Sequence, residues 1–116
     1  IGDEIEADFE QLRITGGYDH NYVTDGYNKA SIREIAEAWS EKTGIQMNVL
    51  TDCPCVQFYA ANFVDQEHGK NGHVYNKREA FCLEPNAVNV ENFHSPILEA
   101  GERYYSETIY RFSVKK

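Results

Sequence analysis

Ser31-Ile32-Arg33-Glu34-Ile35-Ala36-Glu37-Ala38-Trp39-Ser40-Glu41-Lys42-Thr43-Gly44-Ile45-Gln46-Met47-Asn48-Val49-Leu50 is the stretch on which the fold turns, because its two halves point to different secondary structures. From Ser31 to Lys42 the apolar residues Ile32, Ile35, Ala36 and Trp39 recur at helical spacing, with Glu34, Glu37, Glu41 and Lys42 on the other face. That pattern alone predicts a helix. From Ile45 to Leu50 the sequence alternates with period two, and Glu41-Lys42-Thr43-Gly44 has the form of a hairpin connection in which Gly44 supplies a positive φ. A strand before that turn would pair with the strand after it.

Moving outward, the chain reads as short strands between polar loops. Val56-Gln57-Phe58-Tyr59 follows Pro54 and is rich in β-formers, after which Ala60-Ala61-Asn62-Phe63 leaves the strand. Residues 65 to 79 hold Asp, Glu, Gly, Lys and Asn in quantity and read as a solvated excursion. Ala80-Phe81-Cys82-Leu83 is a short apolar strand expected to end at Glu84-Pro85-Asn86, because proline cannot donate to a ladder. After a turn at Gly101-Glu102, the run from Arg103 to Phe112 reads as a long strand with two different faces. On the N-terminal side, Thr15-Gly16-Gly17-Tyr18-Asp19-His20-Asn21 marks an irregular loop of the kind that holds functional side chains on a rigid scaffold. The pattern argues for an all-β sandwich built from antiparallel strands.

Composition narrows the function. The chain has 116 residues, 11 basic against 19 acidic side chains and a net charge of -8, without a basic cluster beyond Lys115-Lys116. Nucleic acid and anionic membrane surfaces are poor partners for such a chain. Apolar residues come in short runs, far from the roughly 20 needed to span a bilayer, which predicts a soluble protein. The aromatics, 8 Tyr, 6 Phe and 1 Trp, suit a β-rich core better than sugar stacking. The 3 cysteines cannot all pair within the chain, and a disulfide between Cys53 and Cys55 would be strained. Buried free thiols in a reducing, cytoplasmic setting are the expectation, and a lone C-x-C lacks the second ligand pair of a zinc site. The opening Ile1-Gly2-Asp3-Glu4-Ile5, without Met, leader or cleavage site, is what a processed chain or part of a longer one would carry.

Two carboxylates stand out by position. Asp19 lies in the glycine-rich loop beside His20, and Glu84 lies at the end of an apolar strand against Pro85. A carboxylate beside Phe81, Cys82 and Leu83 is expected to be partly desolvated, which would raise its pKa and make it a proton acceptor near neutral pH. The plainer readings are an exposed strand-end Glu84 and a turn residue at Asp19. None of His20, His68, His73 and His94 has a partner at metal-ligand spacing; His68 and His73 fall in the polar excursion, and His94 adjoins a Ser-Pro turn. No fingerprint of acyl transfer, nucleotide hydrolysis or hydride transfer occurs.

Gly17-Tyr18-Asp19-His20-Asn21-Tyr22-Val23, Thr51-Asp52-Cys53-Pro54-Cys55-Val56-Gln57-Phe58-Tyr59-Ala60-Ala61-Asn62-Phe63 and Phe81-Cys82-Leu83-Glu84 resemble three ordered blocks of the aldose 1-epimerase (mutarotase) family. Their order, their spacing and the ending from Gly101-Glu102 to Thr108-Ile109-Tyr110-Arg111-Phe112 carry the resemblance over nearly the whole chain. It implies that residues 1–116 are the C-terminal segment of a single catalytic domain, part of a large antiparallel β-supersandwich, and that 31 to 42 is a hairpin strand. It implies interconversion of the α and β anomers of a hexose such as galactose or glucose, with a small-molecule aldose as partner and no metal or organic cofactor. By resemblance Glu84 matches the catalytic base, Asp19 the acidic residue that hydrogen-bonds sugar hydroxyls, and Gln57 lies in the block that lines the sugar site. The family's general acid is a histidine upstream of these blocks, so none of the four histidines is assigned that role. Departures are Cys55 where a small residue is usual, Ala61 where Gly is usual, and Pro85-Asn86 beside the base in place of Thr-Gln. The competing expectations are a non-catalytic carbohydrate-binding β-sandwich and a purely structural β-domain. Oligomeric state is not legible.

Overall fold

The stretch from 31 to 50 folds as a β-hairpin, and the three-residue spacing of Glu34 and Glu37 in its first half originates in the strand itself. The computed structural model describes residues 1–28, 31–87 and 97–115. Numbered from β1 (Asp19–Val23), strand β2 (Arg33–Trp39) pairs antiparallel with β3 (Ile45–Thr51). The register runs Glu34↔Leu50 and then Ala36↔Val49, so Ile35 is the extra residue of a β-bulge. A bulge slips the side-chain alternation by one position. Glu34 and Glu37, three apart, therefore share a face. Asn48 makes this visible, its Nδ2 donating to Glu34 Oε1 at 2.8 Å and to Glu37 Oε2 at 3.2 Å.

The turn is built as its residues suggest. Gly44 has φ +72°, its N–H donates to the Ser40 carbonyl at 2.8 Å, and Ser40 N–H donates to the Ile45 carbonyl at 2.9 Å. The third strand of this sheet is β8 (Thr108–Val114), antiparallel to β3 from Ile45↔Val114 to Thr51↔Thr108. It starts later than the alternation from Arg103 implies. Residues just before it are held largely by side-chain bonds: Asp52 Oδ1 accepts from Ser106 Oγ at 2.8 Å and from Glu107 N–H at 3.1 Å, beside one backbone bond from Asp52 N–H to Glu107 O at 3.3 Å.

Register assigns the two faces of the β2-β3-β8 sheet. One carries Ala36, Ala38, Met47, Val49, Tyr110 and Phe112, and the other, more polar one carries Glu34, Glu37, Gln46, Asn48 and Arg111 together with Trp39, Leu50 and Ile109. The polar face is cross-linked, with Arg111 paired to Glu34 at 2.7 Å and Gln46 Nε2 donating to Glu37 at 2.7 Å. The apolar face is covered around Val49, which is 0% exposed, and open toward Phe112 and Val114, at 66% and 71%. Both faces of β8 are thus exposed among the described residues.

The described chain forms two compact units. The second, Val23–Val56 with Pro85–Lys116, contains this sheet and a core in which Val49, Thr51, Cys53, Cys55 and Val56 are buried. Cys53, Cys55 and the exposed Cys82 are not joined in disulfides. Arg33 ties carbonyls together there, Nη2 donating to Cys53 O at 2.9 Å and Nε to Asp25 O at 3.2 Å, with a further bond to Thr24 Oγ1.

The first unit, Ile1–Tyr22 with Gln57–Glu84, begins with a 3-10 turn at Gly2–Glu4 and then a short helix α1 (Glu10–Thr15), which buries Leu12 and stops at Gly16 in the left-handed region. Strands β4 (Cys55–Tyr59) and β7 (Cys82–Asn86) join β1 in the order β1-β4-β7. Phe58 packs against Tyr18 at 5.5 Å and Phe81 at 6.4 Å between ring centroids. The polar excursion holds a small antiparallel pair, β5 (Glu67–His68) and β6 (Val74–Tyr75), and is largely exposed. His94 and its Ser-Pro turn lie outside the described residues.

One expectation is overturned here: β7 runs through Pro85 to Asn86, so Glu84 sits in mid-strand and not at a strand end. Proline is tolerated because β7 is an edge of its order among the described residues, where a missing N–H breaks no ladder.

Candidate functional site

The site is assembled from the start of β1. Gly16 and Gly17 turn the chain out of α1 with φ +65° and +138°. Gly17 is required by contact as well as by φ, since a Cβ there would lie 3.0 Å from Asn62 Cγ and nearer still to its Oδ1. Asn62, itself buried, donates from Nδ2 to Tyr18 O at 2.8 Å, and Ala60 N–H donates to the same carbonyl at 2.9 Å. Tyr18 is thereby pinned to the residues that follow β4. Ala61 between these anchors has φ +52°, the left-handed region that glycine occupies without cost. That is a physical reason for a glycine preference at this position.

Pinning Tyr18 sets Asp19, the first residue of β1. Its Oδ1 accepts a hydrogen bond from Gln57 Nε2 at 2.7 Å, so β1 and β4 bring together two of the three residues singled out in the sequence. Both are half-buried, which leaves carboxylate and amide able to bond a further polar ligand. Glu84 lies on β7, the strand next to β4 on the side away from β1.

The expected desolvation of Glu84 by its apolar neighbours is not found. Glu84, Phe81 and Cys82 are exposed, and strand alternation sends half-buried Leu83 to the opposite side. The carboxylate instead acts on its neighbour: burial first, and then the negative charge of Glu84, raise the Cys82 thiol above its ordinary value.

Around Asp19 lies an open cleft of about 710 Å³, its walls including Phe9, Leu12, Ile14, Tyr18, His20 and Tyr22. That size suits a small organic ligand. Tyr22 is held as a neutral phenol, burial and then Tyr18 pushing its pKa up. Tyr18 and Tyr22 were passed over as core aromatics in the sequence. The period-two run Tyr18, His20, Tyr22 was the available signal, since it puts three rings on one face of a strand. Among the described residues no group of three or more His, Cys, Asp or Glu side chains could hold a metal ion, and no helix is long and apolar enough to cross a membrane.

A family model described as aldose 1-epimerase matches residues 1–111. The chain belongs to the aldose 1-epimerase family. Galactose mutarotase from Homo sapiens is 40% identical over 103 residues, covering 84% of this chain and 30% of that protein. Aldose 1-epimerase from Escherichia coli is 30% identical over 118 residues, covering 97% of this chain and 34% of its own length. Among solved structures, an aldose epimerase homologue from C. elegans superimposes with a TM-score of 0.69 at 29% identity, over 84% of this chain and 30% of that one. The chain thus spans about a third of the length of these relatives. The epimerase-family fold agrees with the antiparallel all-β architecture read from the turns, and with a strand at β2 in place of a helix.

Proposed function

We propose that residues 1–116 are the C-terminal segment of one aldose 1-epimerase catalytic domain, which interconverts the α and β anomers of a hexose such as galactose or glucose. The observation that carries this reading is the 2.7 Å bond between Asp19 and Gln57, with Glu84 on the next strand, in a chain whose family match runs from residue 1 to 111.

In this reading Glu84 takes the proton from O1 of the sugar while an acid elsewhere in the domain protonates the ring oxygen. The C1–O5 bond breaks, C1 becomes an aldehyde, and rotation about C1–C2 lets the ring close on the other face with the proton transfers reversed. An exposed carboxylate in this chain suits that task once sugar covers it, because desolvation on binding brings a carboxylate toward the basicity general-base catalysis needs. Asp19 and Gln57 hold hydroxyls, the carboxylate accepting and the amide both donating and accepting. The steps are proton transfers, opening and closing of the hemiacetal C1–O5 bond and a bond rotation, with no change of oxidation state, so the chemistry calls for no cofactor. Cysteines that are not joined in disulfides, at Cys53, Cys55 and Cys82, fit a cytoplasmic location.

Polarimetry on the full-length gene product tests the proposal. Freshly dissolved α-galactose or α-glucose should reach its equilibrium rotation well ahead of the uncatalysed rate. Saturable sugar binding without acceleration would favour a carbohydrate-binding sandwich instead.

A further inference from the structure

The proposed chemistry gives His20 no task, yet its ring is held against Asp19, one of the two residues read as holding sugar hydroxyls. His20 Nδ1 accepts a hydrogen bond from the backbone N–H of Asp19 at 3.0 Å. Strand geometry explains why that donor is available. Within a strand, the N–H and C=O of one residue point to the same side and those of the next residue to the other. The Tyr18 carbonyl points to the β4 side, where it accepts from Ala60 just past the end of that strand, so the Asp19 N–H of the same trans peptide points away from β4. Among the described residues β1 is the edge of the order β1-β4-β7, and an edge leaves such groups without a ladder partner. His20 supplies the acceptor that a further strand would otherwise provide.

The bond has consequences for the ring and for Asp19. To accept, Nδ1 must be unprotonated, so the neutral ring carries its proton on Nε2. Tyr18 and Tyr22 flank the ring, with centroids 5.7 and 6.3 Å away, and keep Nδ1 on target. Asp19 is then held at two points. His20 holds the main-chain nitrogen bonded to the Asp19 Cα that carries the side chain, and Gln57 Nε2 holds the carboxylate at 2.7 Å.

We propose that His20 is a positioning residue, which fixes the Asp19 peptide through Nδ1 so that the carboxylate meets the sugar hydroxyls in one orientation. The inference rests on the reading of Asp19 as a sugar-binding residue. Its competitor is a ring that merely fills space between two tyrosines.

The two differ in what they demand of a substitute. In the full-length protein, His20→Phe keeps a ring and removes the acceptor, whereas His20→Asn removes the ring and keeps an acceptor atom as far from the backbone as Nδ1. Positioning requires His20→Phe to lose about 3- to 10-fold in kcat/KM for galactose, the size of one hydrogen bond, with KM raised. His20→Asn should stay within about twofold of the parent under the same principle. The opposite ranking would overturn the proposal in favour of packing. A second arm places His20→Phe in an Asp19→Asn background, where misplacing a carboxylate that is gone should cost little more. Losses that simply multiply would show that His20 does not act through Asp19. An Asp19→Asn protein with unaltered kinetics would instead sink the sugar-binding reading itself, and this inference with it. Impaired Asp19→Asn beside normal His20→Phe would sink only the role of His20.

Discussion

Gly17→Ala concentrates the site's dependence on one backbone position. The residue sits at φ +138°, where an L-residue is strained by roughly 1–3 kcal/mol. Its new methyl would come within 3.0 Å of Asn62 Cγ and closer to Oδ1. Asn62 is 6% exposed and has little room to move, and leaving would break its 2.8 Å bond to Tyr18 O, worth about 1 kcal/mol. The expected cost is therefore about 2–4 kcal/mol, read as a lower midpoint of urea unfolding in the full-length protein. The two sources of cost can be separated. Asn62→Ala alone should lose about 1–2 kcal/mol by removing a buried bond, and adding it to Gly17→Ala should cost about 1 kcal/mol less than the sum, because the clash is gone while the strain at φ remains. A Gly17→Ala protein within about 0.5 kcal/mol of the parent, or a strictly additive double variant, would refute the claim that Asn62 occupies the place of a Gly17 side chain.

Replacing Glu84 with Gln in the full-length protein keeps shape but removes the proton acceptor; polarimetric turnover should fall by roughly two to four orders of magnitude with sugar affinity little changed. Near-normal turnover would place the base elsewhere. The same substitution removes the charge that helps raise the Cys82 thiol, so at mildly alkaline pH Cys82 should be alkylated faster in Glu84→Gln than in the parent, while buried Cys53 and Cys55 stay slow. Unchanged labelling at Cys82, followed by peptide mapping, would mean that Glu84 does not act on it. Purified residues 1–116 alone should not accelerate mutarotation, and the open apolar end at Phe112 and Val114 should drive concentration-dependent association; a strictly monomeric chain in light scattering would contradict the second half.

Local rules of the sequence determined the turns and most strands, because those rules act between near neighbours. Gly44 demanded a positive φ, Ile45 to Leu50 alternated, and the hairpin followed. Family blocks around Asp19, Gln57 and Glu84 likewise pointed to a fold and a chemistry before any contact was known. What stayed illegible depended on pairing partners far away in the chain. Glu34 and Glu37 spoke for a helix because a bulge opposite Val49 and Leu50 had put them on one face, and no spacing rule reveals a bulge without its partner strand. Pro85 was expected to stop its strand, yet an edge position removes the penalty, and only strand order says which strand is an edge. The flanks of Glu84 promised burial, but burial belongs to whatever packs over a side chain, and its apolar neighbours in sequence are not its cover in space. His20 gained a task for the same reason: a tertiary contact turned the Tyr18 carbonyl toward β4 and left the Asp19 N–H facing the ring beside it.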